Sequence, residues 1–314
     1  MLRSQKKMDG LPLLAAGLVI ALIGCSESEP QEPVAAQREL VVYTVNYPLA
    51  YFAERIGGDE IDVKFPAPAD EDPAYWQPDA SMIEAYQGAD LILLNGAGYA
   101  HWTEMATLAP SKLVNTSASF SVRYVELQEA VTHAHGPEGE HEHTGKAFTT
   151  WLDLTLAVEQ VRAVKDALVR VRSDAEASFE DGFAALETDL LELDGRIKEY
   201  IEGWEAKPLI VSHPVYQYWT QGYGLNVQCV HWEPDENPTE AMWAELARLR
   251  DAHPAQWMIW ESEPDDQIVE RLQALGVESV VFAPCGNAPD EGDFLSVMKQ
   301  NVDALSRVFD ESRG

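Results

Sequence analysis

SDAEASFEDGFAALETDLLELDGRIKEYIEGWEA, residues 173–206, carries the pattern on which the fold turns. Phe179, Phe183, Leu186, Leu190, Leu193, Ile197, Tyr200 and Trp204 recur at spacings of four and three, so they share one face of an α-helix. About thirty residues at a rise of 1.5 Å reach roughly 45 Å, enough to run the length of a two-domain protein. Ser173 and Asp174 stand where either could cap this helix.

On both sides of the stripe, short apolar runs alternate with helical spacing, the signature of an α/β fold with mostly parallel sheets. Before it, strands are expected at Leu40–Val45, Ile61–Pro66, Leu91–Asn95 and Lys112–Asn115, with helices at Leu49–Ile56, Ser81–Gln87, His101–Leu108 and Trp151–Arg172. After it, strands are expected at Leu209–Ser212, Asn226–Val230, Trp257–Trp260 and Ser279–Phe282, with helices at Val215–Gln221, Ala241–Asp251, Asp266–Leu275 and Asp293–Val308. The expected architecture is two α/β lobes, residues 40–172 and 207–314, joined by one long backbone helix over 173–206.

Working outward, residues 1–25 have the form of an export signal. Arg3, Lys6 and Lys7 precede an apolar run from Leu11 to Gly24, too short to span a bilayer comfortably. The run ends in Leu22-Ile23-Gly24-Cys25, which resembles a bacterial lipobox, so Cys25 is the expected site of lipidation and residues 26–39 a tether. An acylated protein lies in the periplasm or at the cell surface, anchored to a membrane, where Cys229 and Cys285 meet oxidising conditions. A doubly wound sheet would keep their two strands apart, which disfavours a bridge without excluding one.

Lys and Arg total 22 against 53 Asp and Glu, a formal charge of −31, which excludes nucleic acid as a partner. Most of that surplus is expected to be solvated acidic surface. The stretch VTHAHGPEGEHEHT over Val131–Thr144, within a loop at 131–146, has neither helical nor strand periodicity. Its His133, His135, His141 and His143 form two His-x-His pairs that can chelate metal with low affinity without any fold; a plain acidic linker is the competing reading.

Several local motifs occur in a particular order. They are Val41-Val42-Tyr43-Thr44-Val45-Asn46-Tyr47-Pro48 through Ile56-Gly57-Gly58-Asp59, then Asp72-Pro73-Ala74-Tyr75-Trp76-Gln77-Pro78, then Ala89-Asp90-Leu91 through Asn95-Gly96. Trp151-Leu152-Asp153 follows, and then Ser212-His213 with Tyr216, Tyr218, Trp219 and Tyr223-Gly224-Leu225. In order and spacing these resemble the zinc/manganese-type solute-binding proteins of metal ABC transporters, over nearly all of the chain from Leu40 onward. The resemblance implies zinc, with manganese next, as transported ligand, an ABC permease as partner and a monomeric binding component.

It also implies a metal held between the lobes by histidines from three loops and a carboxylate near the last strand. This chain departs from that set. Ala74, Thr149 and Ala283 stand at three of the positions, and His213 alone matches. An ordinary tetrahedral zinc site could not close on one ligand. Ligands in open α/β sheets bind beyond the carboxyl ends of strands, where His213, His231, Glu261 and Cys285 follow successive strands of the second lobe. All four side chains can hold a metal. Each of the last three also has an ordinary structural reading: a hydrogen bond near Trp232, a cap for a helix beginning near Asp265-Asp266, and a small buried thiol. Asp72, Tyr75 and Trp76 could face them from the first lobe, with Tyr75, Trp76 and Trp260 as pocket walls.

Two functions remain open at this point: capture of a divalent transition metal, and the same fold turned to an organic solute or metal chelate. An enzyme ranks below both. The chain has no recognisable nucleophile motif, no phosphate-cradling G-x-x-x-x-G-K and no H-E-x-x-H helix.

Overall fold

In the computed structural model of the chain, residues 38–127, 131–134, 140–143, 145–202, 204 and 206–310 are described. The expected signal over 1–25 with its Cys25, the tether as far as residue 37, and His135 lie outside them. Strands β1 (Leu40–Thr44), β2 (Ile61–Lys64), β3 (Leu91–Leu94) and β4 (Leu113–Asn115) form a parallel sheet in the order β2-β1-β3-β4. β3 reads LILL because helices cover both faces of an inner parallel strand, which removes any need for polar alternation.

β5 (Val131–Ala134) and β6 (Glu140–His143) pair antiparallel, with His133 opposite His141 and Val131 opposite His143. This corrects the expectation of a segment without strand structure. Its alternation is of His with Glu, and a periodicity test built on apolar residues cannot register it.

A second parallel sheet holds β7 (Pro208–Val211), β8 (Asn226–Cys229), β9 (Trp257–Trp260) and β10 (Glu278–Val281) in the order β10-β9-β7-β8. Counted along the chain, both sheets have the order second-first-third-fourth, so each has a switch point between its first and third strands. Cys229 ends β8 and Cys285 follows β10, at opposite edges of the second sheet, and both are free thiols.

Helices α1 (Tyr47–Gly57), α2 (Ala80–Gly88), α3 (Trp102–Met105) and α4 (Leu154–Val171) accompany the first sheet. α5 (Glu176–Ile201) follows, then α6 (Gln217–Gly222), α7 (Glu240–Ala252), α8 (Asp266–Ala274) and α9 (Phe294–Asp310) with the second sheet. Asp153 caps α4 by accepting from the backbone N–H groups of Thr155 and Leu156, and Asp265 caps α8, so Glu261 is not spent as a cap.

The long helix α5 has 26 residues, roughly 39 Å at 1.5 Å per residue. Neither Ser173 nor Asp174 caps it, because a 3-10 turn over Ser173–Ala175 runs straight into its first turn. Phe179, Phe183, Leu186, Leu190, Leu193 and Ile197 are buried in the core that spans both sheets, each contributing about 1.5–3 kcal/mol. Toward the first sheet, Gly182 lets α5 cross α1 closely: a Cβ there would stand 2.8 Å from the Arg55 carbonyl oxygen. Beside it, Arg55 pairs with Asp189 at 2.8 Å. Toward the second, the Tyr223 hydroxyl donates to buried Asp194 at 3.1 Å, and Arg196 pairs with Asp303 of α9. Glu39–Gly314 thereby form one compact unit. Among the described residues no helix is long and apolar enough to cross a membrane.

Candidate metal site between the sheets

The second strand positions beyond β1 and β7 are Asn46 and His213; the first beyond β3 and β9 are Asn95 and Glu261. At the first switch point the pair is neutral and closed. Asn46 Nδ2 donates to Asn95 Oδ1 at 3.2 Å, inside a buried network with Gln160 and Thr116. At the second switch point the same places hold an imidazole and a carboxylate, with His213 Nδ1 3.4 Å from Glu261 Oε1. On the other side of the ring, Nε2 lies 3.8 Å from Glu233 Oε1.

His213 is buried, 3% exposed. Burial alone pulls its pKa down, because a charged imidazolium loses water. The Glu261 carboxylate 3.4 Å from Nδ1 and the charges of Glu233 and Asp72 outweigh this and hold it above the usual 6.5. Nδ1 lies on the Glu261 side of the ring and Nε2 on the Glu233 side, so Nε2 is the atom turned toward Glu233.

These groups line a cavity of about 470 Å³. Its acidic side is Glu233, Asp235, Glu261, Glu263 and, from the loop after β2, Asp72; among the described residues its lining includes no lysine or arginine. Its aromatic side is Tyr75, Tyr99, Phe148 and Trp151, with Tyr99 edge-on to Phe148 at 5.1 Å and to Trp151 at 5.9 Å. The loop after β10 closes one end and ties the sheets together. Trp151 Nε1 donates to the Pro284 carbonyl at 2.7 Å, the Tyr47 N–H to the Gly286 carbonyl at 3.0 Å, and Asn287 Nδ2 to the Pro68 and Glu71 carbonyls at 2.7 and 2.9 Å. Between these contacts Cys285 sits in the left-handed region at φ 57°.

His213, Glu261 and Cys285 therefore meet at one cavity, together with Tyr75. His231 does not join them: it is exposed and outside the lining, while Trp232 beside it is buried and Glu233 reaches the cavity instead. Trp260 is fully buried in a separate core with Trp232 and Trp243, and Trp76 packs on Trp102 at 6.4 Å, so neither is a wall. Cys285 lines the cavity as a neutral thiol, since burial and then the charge of Asp293 push it up to about 12. Side-chain positions of His133, His141 and His143 on β5 and β6 are not among those described. Glu233, Tyr99 and Phe148 carried no sequence signal beyond a place in loops after strands.

The three positions without donors are filled in other ways. Thr149 Oγ1 donates to the Val215 carbonyl across the two sheets, Ala74 is buried with its N–H on Asp72 Oδ1, and the Ala283 backbone is held at both ends by the Asn301 amide. Two donors on one tetrahedral ion stand about 3.4 Å apart when each is about 2.1 Å from it, so Nε2 and Glu233 Oε1 are near the spacing of a pair. A closed set is missing: among the described residues no three His, Cys, Asp or Glu side chains gather round one point.

The profile of the family "Zinc-uptake complex component A periplasmic" matches residues 42–308. The chain belongs to this family. Among its relatives, the zinc-binding protein AdcA of Streptococcus pyogenes is 21% identical over 295 residues, which cover 88% of this chain but 57% of AdcA. The chain thus spans just over half the length of that relative. The manganese ABC transporter substrate-binding lipoprotein PsaA of Streptococcus pneumoniae is 24% identical, with 96% of this chain and 98% of PsaA covered. In structure, the metal-dependent lipoprotein YcdH of Bacillus subtilis superposes with a TM-score of 0.73 at 23% identity, covering 86% of this chain and 98% of YcdH. The Zn(II)-bound ZnuA-like domain of Streptococcus pneumoniae AdcA gives 0.73 at 21%, covering 87% and 100%. These likenesses show the two-sheet α/β fold.

Proposed function

We propose that this chain is the extracytoplasmic binding component of an ABC metal importer, that its cargo is a divalent transition metal, zinc first and manganese next, and that His213 Nε2 and Glu233 are the donors that receive it. The observation that carries this reading is the buried imidazole at the switch point, with Glu261 3.4 Å from one nitrogen and Glu233 3.8 Å from the other, in a cavity lined by carboxylates. Asp72 lines the same cavity from the opposite sheet and adds to its negative charge without joining that pair. Imidazole plus carboxylates suits zinc and does not exclude manganese.

In the same proposal Cys25 carries the lipid anchor, residues 40–172 and 207–314 act as lobes on the α5 backbone, and a monomer presents cargo to a permease. The chain binds and releases without catalysis; turnover of a test substrate would overturn that part. A second reading, an organic solute in place of the metal, draws on the aromatic side and on a volume within the range of small-molecule sites, roughly 300–1,000 Å³.

Calorimetric titration of zinc and manganese into metal-free protein tests the proposal, alongside His213→Ala, Glu233→Gln and deletion of 131–144. Saturable binding that His213→Ala and Glu233→Gln abolish and the deletion spares is the expected result. Binding that disappears only with the deletion would refute it.

A further inference from the structure

The cavity offers a metal too few donors and too much room. One imidazole nitrogen and one carboxylate face each other at 3.8 Å, no third donor is gathered round them among the described residues, and about 470 Å³ remains beside them. A bare zinc ion needs four donors and almost no volume. The aromatic side adds an independent observation. Tyr99 is 6% exposed, and its hydroxyl is buried with no hydrogen-bond partner among the described residues. Leaving such a group unsatisfied costs about 1–3 kcal/mol. The hydroxyl lies 3.8 Å from where a Cβ on Gly286, another residue lining the cavity, would stand.

Resting on the metal reading above, we infer that the cargo enters as a metal chelate. A small organic ligand completes the coordination sphere, lies against the aromatic side and accepts a hydrogen bond from the Tyr99 hydroxyl. The five lining carboxylates set its charge. A chelator carrying several negative charges would be repelled, whereas a zwitterionic N,O-chelator of the amino-acid type leaves a one-to-one complex of a divalent metal with net positive charge. Such a ligand supplies two or three donors, and its carboxylate offers the acceptor that Tyr99 lacks. His213 and Glu233 then need to supply only the remaining positions.

The test is equilibrium dialysis of the purified protein against zinc alone, a one-to-one zinc–histidine complex and zinc citrate, with metal and organic ligand measured separately on the protein side. The expected result is that histidine is retained one-to-one with zinc, that this complex binds at least tenfold tighter than zinc alone, and that citrate is not retained. Tyr99→Phe should weaken retention of the complex by about tenfold or more, the range for a hydrogen bond to a charged acceptor, and leave zinc alone unchanged. The same variant should fold with unchanged or raised Tm, since it deletes an unsatisfied group, which separates a ligand contact from a structural one. Zinc retained without histidine, or histidine binding insensitive to Tyr99→Phe, would overturn the inference and leave the metal site standing. No zinc retained in any form would instead remove the metal reading beneath it.

Discussion

Replacing Glu261 with glutamine isolates what the carboxylate does for His213. The two groups stand 3.4 Å apart with side chains 22% and 4% exposed. At an effective dielectric of about 20, unit charges at that distance attract by about 5 kcal/mol, against which stands a burial cost of several kcal/mol for the imidazolium. The two nearly cancel, and the carboxylates tip the balance, since the imidazole pKa is held above its usual value in spite of burial. Glutamine keeps the size and an acceptor for Nδ1–H but removes the charge. Burial then prevails, and His213 should titrate below its native position. Mutating the carboxylate behind a metal-bound histidine costs about 10–100-fold in affinity, or about 1.4–2.7 kcal/mol, and with the acceptor kept the lower end is expected here. The His213 ring protons followed by NMR across pH in metal-free protein, with zinc calorimetry on the same sample, give both readouts. A Glu261→Gln protein with an unmoved His213 titration and unchanged zinc affinity would refute the coupling.

Further outcomes follow from the same geometry. Because the folded pKa of His213 is raised, its contribution to stability is fully present below the unfolded value near 6.5 and is lost as pH rises through the folded value; metal-free protein should show this in Tm, and His213→Ala should not. Metal competes with that proton, so zinc affinity should fall by about tenfold per pH unit once pH drops below the folded value, checked by titrations at several pH values. Trp151→Phe removes the indole donor from the half-buried Pro284 carbonyl and should cost about 0.5–1.5 kcal/mol in denaturant unfolding. In a Cys25→Ser background, Cys285 and Cys229 should react with a disulfide reagent at pH 8 far more slowly in the folded than in the urea-unfolded protein, because burial pushes both thiols up; equal rates would contradict their placement.

Most of the backbone plan was legible in the residues. Apolar runs located the eight strands of the two parallel sheets, and the four-and-three stripe located α5, because burial on one face leaves a period in the sequence. His213, His231, Glu261 and Cys285 were legible as candidates because ligands bind beyond the carboxyl ends of strands; that His213 and Glu261 form the pair at the switch point came from the strand order. What the sequence could not decide was which side of a fully buried strand faces which core. Every residue of β9, Trp257 to Trp260, is buried. Trp257 and Ile259 enter the core shared with α5, whereas Met258 and Trp260 enter the separate one. A continuous apolar run has no polar side to reveal that choice, so Trp260 looked available as a pocket wall.

The exchange of His231 for Glu233 has a similar origin. Beyond β8 the chain leaves the sheet, and burying Trp232 against Trp243 at 4.6 Å sets how that loop turns. A contact between residues 232 and 243 carries no local signature, and it decides which of two metal-competent side chains enters the cavity. The residues alone determined the family, the two α/β halves and the long helix, and offered His213, His231, Glu261 and Cys285 as candidates. Only tertiary packing decided which candidates share a cavity and added Glu233 and the unsatisfied Tyr99 hydroxyl, because these lie on separate loops that become neighbours only when the two sheets close on one another.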